Sequence, residues 1–130
     1  MTLDEYDAFC RSLPVTTFVV QWRGSHVWKV GGKMFAVGRE DDNRVTVTFK
    51  VSDIAYEMLQ RKPGLRPAPH LASRGLKWIQ LFAKPGLSDK DLKGFLRESY
   101  ALVGQGLPKK VRMELGLGTP KREPESRPSN

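Results

Sequence analysis

At 130 residues and 39% hydrophobic composition, the chain is sized for one domain that buries a core without disulfides or metal. It carries 22 basic and 14 acidic residues, a net charge of +8, and one cysteine, Cys10, which fits a reducing cytoplasm better than a disulfide-stapled secreted product. No apolar run approaches the roughly 20 residues of a bilayer span, and the opening MTLDEY lacks a basic-then-apolar leader, so a soluble cytoplasmic protein without a membrane partner is expected.

A helix is expected from about Leu3 to Ser12, because Thr2 and Glu5 have capping-box spacing and Leu3, Tyr6, Cys10 and Leu13 share one face. Pro14 ends it. Four runs with period-two alternation follow, Thr17 to Trp22, His26 to Val30, Met34 to Arg39 and Arg44 to Val51, and they read as an antiparallel meander. In the last run Val45, Val47, Phe49 and Val51 point one way and Arg44, Thr46, Thr48 and Lys50 the other, which leaves one sheet face open to water. Ser52 caps a helix to about Gln60 with Ile54, Ala55, Met58 and Leu59 inward, and Pro63-Gly64 stops it. A stiff connection with Pro63, Pro67 and Pro69 leads to a fifth strand, Leu76 to Phe82. Ser88 and Asp91 cap the longest helix, whose stripe is Leu92, Phe95, Leu96, Leu102 and Val103. A short helix is expected from Lys109 to Leu117, and residues 118–130, polar and without apolar period, are expected to form a disordered tail. The order α-β-β-β-β-α-β-α gives a two-layer α+β domain over residues 1–117, with helices on one face of a mainly antiparallel sheet of about five strands.

The positive charge is unevenly placed. Residues 61 to 86 hold six basic groups and no acidic one, and the C-terminal end holds a second cluster. Clustered cations attract polyanions, so nucleic acid is the first partner to consider, against the plainer reading of a solvated basic surface. Gly31-Gly32 reads as a tight hairpin; with no helix N-terminus following, it is no phosphate-binding loop. His70 and His26 have no metal-binding spacing with each other or with Cys10, and no catalytic constellation is visible, so neither a metal nor another cofactor is expected. The acids Glu40, Asp41 and Asp42 read as a solvated turn.

The runs SLP (Ser12 to Pro14), WKVGGKMFA (Trp28 to Ala36), TFKVSDIAYEML (Thr48 to Leu59), PGLRPAPHL (Pro63 to Leu71), KWIQL (Lys77 to Leu81), ESYALV (Glu98 to Val103) and LPKKVR (Leu107 to Arg112), in this order, resemble the MmcQ/YjbR family over about residues 3 to 117. The resemblance implies a compact α+β fold, likened to a double-wing DNA-binding domain and to type III secretion chaperones, in proteins usually labelled DNA-binding; that label rests largely on fold analogy. It marks Trp28, Lys29, Gly32, Lys33, Phe35, Lys50, Pro67, Trp78, Ser99 and Tyr100, and it has an aromatic residue where this chain has His70. Trp28, Phe35 and Trp78 are read as core residues before stacking platforms, since large aromatics dominate small cores.

Two functions are expected from different classes. The first is a non-enzymatic nucleic-acid-binding protein, for duplex DNA, that contacts phosphates through Lys29, Lys33, Arg44, Lys50, Arg66, Arg74 and Lys77 and serves as a regulatory accessory factor. The alternative is a module that binds a peptide or protein on the sheet or beside the helix at 52 to 60.

Overall fold

The structure is a computed structural model, which describes residues 1–71 and 74–117. The elements are α1 (Leu3–Ser12), β1 (Thr16–Gln21), β2 (Ser25–Val30), β3 (Lys33–Asp41), β4 (Arg44–Lys50), α2 (Asp53–Leu59), β5 (Leu65–Pro67), β6 (Trp78–Leu81), α3 (Asp89–Gln105) and α4 (Lys109–Glu114). The strands form one antiparallel sheet in the order β1-β2-β3-β4-β6-β5. This is the expected α+β class. The sheet has six strands rather than about five, because Leu65–Pro67 of the proline-rich connection pairs with β6 before the chain turns away. The expected tail at 118–130 lies outside the described residues.

Local chemistry sets the ends of the elements. The Thr2 hydroxyl accepts from the Glu5 amide at 3.0 Å while the Glu5 carboxylate accepts from the Thr2 amide at 2.8 Å, which completes the capping box of α1. Ser52 and Ser88 accept from Ala55 and Asp91 in the same way at α2 and α3. The β2–β3 hairpin turns on Gly31 and Gly32, both at positive φ (+59° and +80°), as a two-residue turn that matches strand twist requires.

The core lies on one face of the sheet. Tyr6 and Cys10 of α1 and Leu92, Leu96, Ser99 and Val103 of α3 are buried over Trp28, Val30, Phe35, Ala36, Val47 and Phe49. Tyr6 fits because Gly38 has no side chain: a Cβ there would come within 2.4 Å of the Tyr6 ring. β3 carries an extra residue at Phe35 relative to β2, and its ladder with β4 ends one residue on, at Ala36–Phe49. Ser99 bridges the two strands beyond that point by donating to the Phe35 carbonyl at 2.6 Å and accepting from the Lys50 amide at 2.9 Å.

One helix sits differently from expectation. The sequence pattern puts Ile54 and Met58 inward, yet they are 76% and 69% exposed, and α2 turns Ala55, Tyr56 and Leu59 toward the core instead. The apolar residues 54, 55, 58 and 59 form two adjacent stripes, and a seven-residue helix can bury only one of them. Tyr56, next to the Ala55–Leu59 stripe, decides which.

Candidate functional site

The second face of the sheet is traced by its register. Val19, Val27, Val37, Thr48, Gln80 and Arg66 pair in succession, one from each strand, and all lie on the side away from the core. Val27 and Thr48, at the centre of this row, are buried, whereas Lys29, Met34, Arg39, Lys50 and Gln80 around them are half-buried, as long side chains are when their stems lie along a sheet. The face is therefore partly covered by its own side chains rather than fully open. Its polar end is ordered: the Arg66 Nε donates to the Gln80 side-chain oxygen at 2.8 Å, and the Arg66 guanidinium lies 4.4 Å from the Phe82 ring centroid.

The seven expected contact residues occupy several places. Lys29 on β2, Lys50 on β4 and Arg66 on β5 share the second face by register, with Lys50 opposite Trp78. Strands stand about 4.8 Å apart, so Lys29 and Lys50 are roughly 10 Å from each other across β3, and Arg66 is a similar step beyond β4. Lys33 begins β3 at the hairpin tip, while Arg44, opposite Asp41, is at the other end of the β3–β4 pair. Lys77 is drawn to the helical side, its ammonium 4.6 Å from the Tyr56 ring centroid. Arg74 is exposed in the connection between β5 and β6. By register Arg44 falls on the second face as well, but at its far end, so three of the seven gather around its middle and the rest are spread.

Two features went unseen in the sequence. Arg39 also lies on the second face, paired with Asp41 at 2.8 Å. Asp7 is the other: its carboxylate meets His26 Nδ1 at 2.7 Å and accepts from the Trp28 indole at 2.9 Å, joining α1 to β2 across 19 and 21 residues of sequence. Neither partner is adjacent to Asp7 in the chain, so its place between Leu3 and Cys10, at i+4 and i−3 respectively on the apolar side of α1, was the one signal the sequence held. Cys10 lies nearby but is no nucleophile. Burial, with the Asp7 charge second, pushes its thiol far above the ordinary value, and it is fully buried.

A depression lies where α1 and α3 begin, lined by Met1, Thr2, Arg44, Val47, Lys84 and Ser88 among others. Its charges are partly self-compensated, since the Met1 ammonium pairs with Asp89 at 3.1 Å. Among the described residues no group of three or more histidine, cysteine or carboxylate side chains is placed to hold a metal ion. Among the described residues no helix is long and apolar enough to cross a membrane.

A sequence model of the YjbR family matches residues 11–102. The chain belongs to the YjbR family. It is 28% identical over 115 residues to the uncharacterized protein YjbR of Escherichia coli K12, covering 86% of this chain and 95% of that one. The crystal structure of Deinococcus radiodurans DR2400, described as a DUF419 domain, superposes with a TM-score of 0.78 at 26% identity over 93% of this chain and 92% of that one. A Pseudomonas syringae protein shares the fold, with a TM-score of 0.64 at 18% identity over 79% of this chain and 99% of its own. In this YjbR-family chain the residues marked by the resemblance divide cleanly. Trp28, Phe35 and Ser99 belong to the core, and Tyr100 joins them by donating to the Pro14 carbonyl and meeting Phe35 edge-on. Trp78, 7% exposed, is buried on the second face beside Lys50. Lys29 and Lys50 face away from the core.

Proposed function

We propose that this YjbR-family protein is a non-enzymatic nucleic-acid-binding protein that holds duplex DNA by its phosphates across the second face of its sheet. The observation that carries the reading is the placement of Lys29, Lys50 and Arg66 on that face from three strands, with its one strand carboxylate, Asp41, already paired to Arg39. Cations spaced about 10 Å apart on a rigid sheet meet phosphates without reading bases, so affinity is set by counterion release and sequence preference is weak. Trp78 is too buried to stack on a base, which favours a duplex over a single strand.

The test is duplex binding followed by fluorescence anisotropy over a series of salt concentrations. Three phosphate contacts predict a slope of log affinity against log salt of about −3. Lys29→Ala with Lys50→Ala is expected to make the slope shallower by about two, and Lys77→Ala, on the helical side, to leave it unchanged. Absence of binding at low salt, or an unchanged slope in the double variant, ends this reading. The alternative, a peptide-binding module, draws support from Ile54 and Met58, exposed side by side on the outer face of α2.

A further inference from the structure

The two edges of the sheet are built differently. At the β5 edge the strand has three residues, ends on Pro67 and is followed by Pro69, so it offers almost no ladder to a visitor. At the β1 edge the strand is six residues long, Thr16–Gln21, with no charge and no proline. Its apolar side chains are uncovered: Phe18 is 42% exposed, Val20 52% and the adjoining Trp22 60%. An uncharged, β-branched edge of this kind is one that a lone soluble domain ordinarily blunts with lysine, proline or a bulge.

We propose that the β1 edge is the seam of a two-fold dimer, in which β1 pairs antiparallel with β1 of a second copy centred on Val19. The sequence around that centre is self-complementary. With Val19 on the axis, Phe18 falls opposite Val20 of the second copy and Thr17 opposite Gln21. Each pair stays on one face, because the two positions differ by an even number. Aromatic residues are thereby matched to β-branched ones across the seam, a favourable class of cross-strand pair. Charge selects the same occupant. The chain carries +8, so two copies repel over most of their surfaces, but the stretch from Val15 to Trp22 is neutral and puts no like charges opposite each other. Positive φ at Val15 and Trp22 bends the chain out of extension at both ends and fixes the length of the seam. The axis is perpendicular to the sheet, so the second faces of both copies look the same way. The inference stands on the edge strand alone and does not depend on nucleic-acid binding.

Sedimentation velocity of the full chain over a wide concentration range tests it. Dimers that dissociate on dilution are expected, and Val20→Lys, at an exposed edge position, is expected to weaken association at least about tenfold without changing the melting temperature at dilutions where the wild type is monomeric. Ile54→Lys on α2 is expected to leave association as it is. The register is tested by cysteine crosslinking with a copper oxidant, Cys10 being buried. Val19→Cys falls next to itself across the axis, within disulfide reach, and is expected to give covalent dimer. Thr17→Cys lies four residues from its copy, about 13 Å, and is expected to give none. A chain that stays monomeric throughout overturns the inference, as does dimer loss on Ile54→Lys but not on Val20→Lys. Crosslinking at position 17 in place of 19 overturns the register. A monomer that instead binds strand-forming peptides at β1 assigns the edge to another occupant and equally refutes the second copy.

Discussion

Asp7 shows how much a single side chain can hold in a small α+β domain. It binds the indole of Trp28 and the ring of His26 at once, while Tyr6 beside it donates to the His26 carbonyl at 2.9 Å. Trp28 is further covered by Phe18, whose ring centroid is 4.9 Å away, and by the Arg11 guanidinium at 5.0 Å. Removing the carboxylate leaves the Trp28 N–H buried without its acceptor, so Asp7→Ala is expected to cost about 1 to 3 kcal/mol. Trp28→Ala, which empties part of the core, is expected to cost about 3 to 5 kcal/mol. Urea denaturation of the two variants checks both, and a Trp28→Ala chain of unchanged midpoint would mean that this ring does not hold the core together. Because Asp7 acts on Trp28, the double variant should lose less than the sum of the two singles.

At the scale of elements, the β2–β3 hairpin separates conformational need from packing need. Both Gly31 and Gly32 hold positive φ, so alanine at either position carries a backbone penalty of about 1 kcal/mol. Only Gly31 has a neighbour: a Cβ there would come within 2.5 Å of Leu107, itself buried, whereas nothing lies within 4 Å at Gly32. Gly31→Ala is therefore expected to be the more destabilising by at least about 1 kcal/mol, and Leu107→Ala should reduce the difference, as a double-mutant cycle in urea would show. Equal losses at the two glycines would mean that Leu107 yields freely. Much of this level was legible in the chain. Capping residues at Thr2, Ser52 and Ser88, glycine turns and the alternation of β4 place the first three helices and the meander within one or two residues, whereas α4 stops at Glu114, three residues short of the expected Leu117. Three features were not legible. The pairing of Leu65–Pro67 depends on β6 being at hand, the roll of α2 depends on which of two adjacent stripes meets the sheet, and the Asp7 contacts join positions with no local pattern between them. The candidate site shared this limit. That Lys29, Lys33 and Lys50 share a sheet edge or face was readable only on the condition that β2, β3 and β4 neighbour one another, and nothing in the sequence told that Lys77 would lie over Tyr56 while Arg66 took its place on the sheet.

For the whole molecule, charge and burial are sorted between layers, and stability should depend on pH through what the helical layer buries. The strands carry two acids, Glu40 and Asp41, of which Asp41 falls on the second face by register, while the carboxylates of α1, α2 and α3 lie on the helical layer. Inside that layer sit two groups that are neutral only while protonated. Burial raises Tyr6 well above its ordinary 10.0, with Cys10 and Asp7 adding to it, and burial raises Cys10 far above its ordinary 9.0, with Asp7 second. Each group thus keeps its proton in the folded chain at a pH where the unfolded chain has released it. The stability they contribute is complete below 9.0, the unfolded thiol value, and falls as pH rises through 9.0 and then 10.0. The loss approaches about 1.4 kcal/mol per pH unit for the thiol alone and about twice that once the phenol joins. Relief of the +8 net charge acts in the opposite direction up to the isoelectric point near 9.9, so a decline that begins around pH 9.0 does not come from self-repulsion. Cys10→Ala is expected to lower stability slightly at neutral pH through the small cavity it leaves, yet to postpone the alkaline decline by about one pH unit, because only phenols, Tyr6 and the less buried Tyr100, both raised by burial, are then left to drive it. Melting temperatures taken in steps from about pH 8 to pH 11 for both chains would show this. If the two curves bend at the same pH, the buried thiol is not the group whose proton the fold retains.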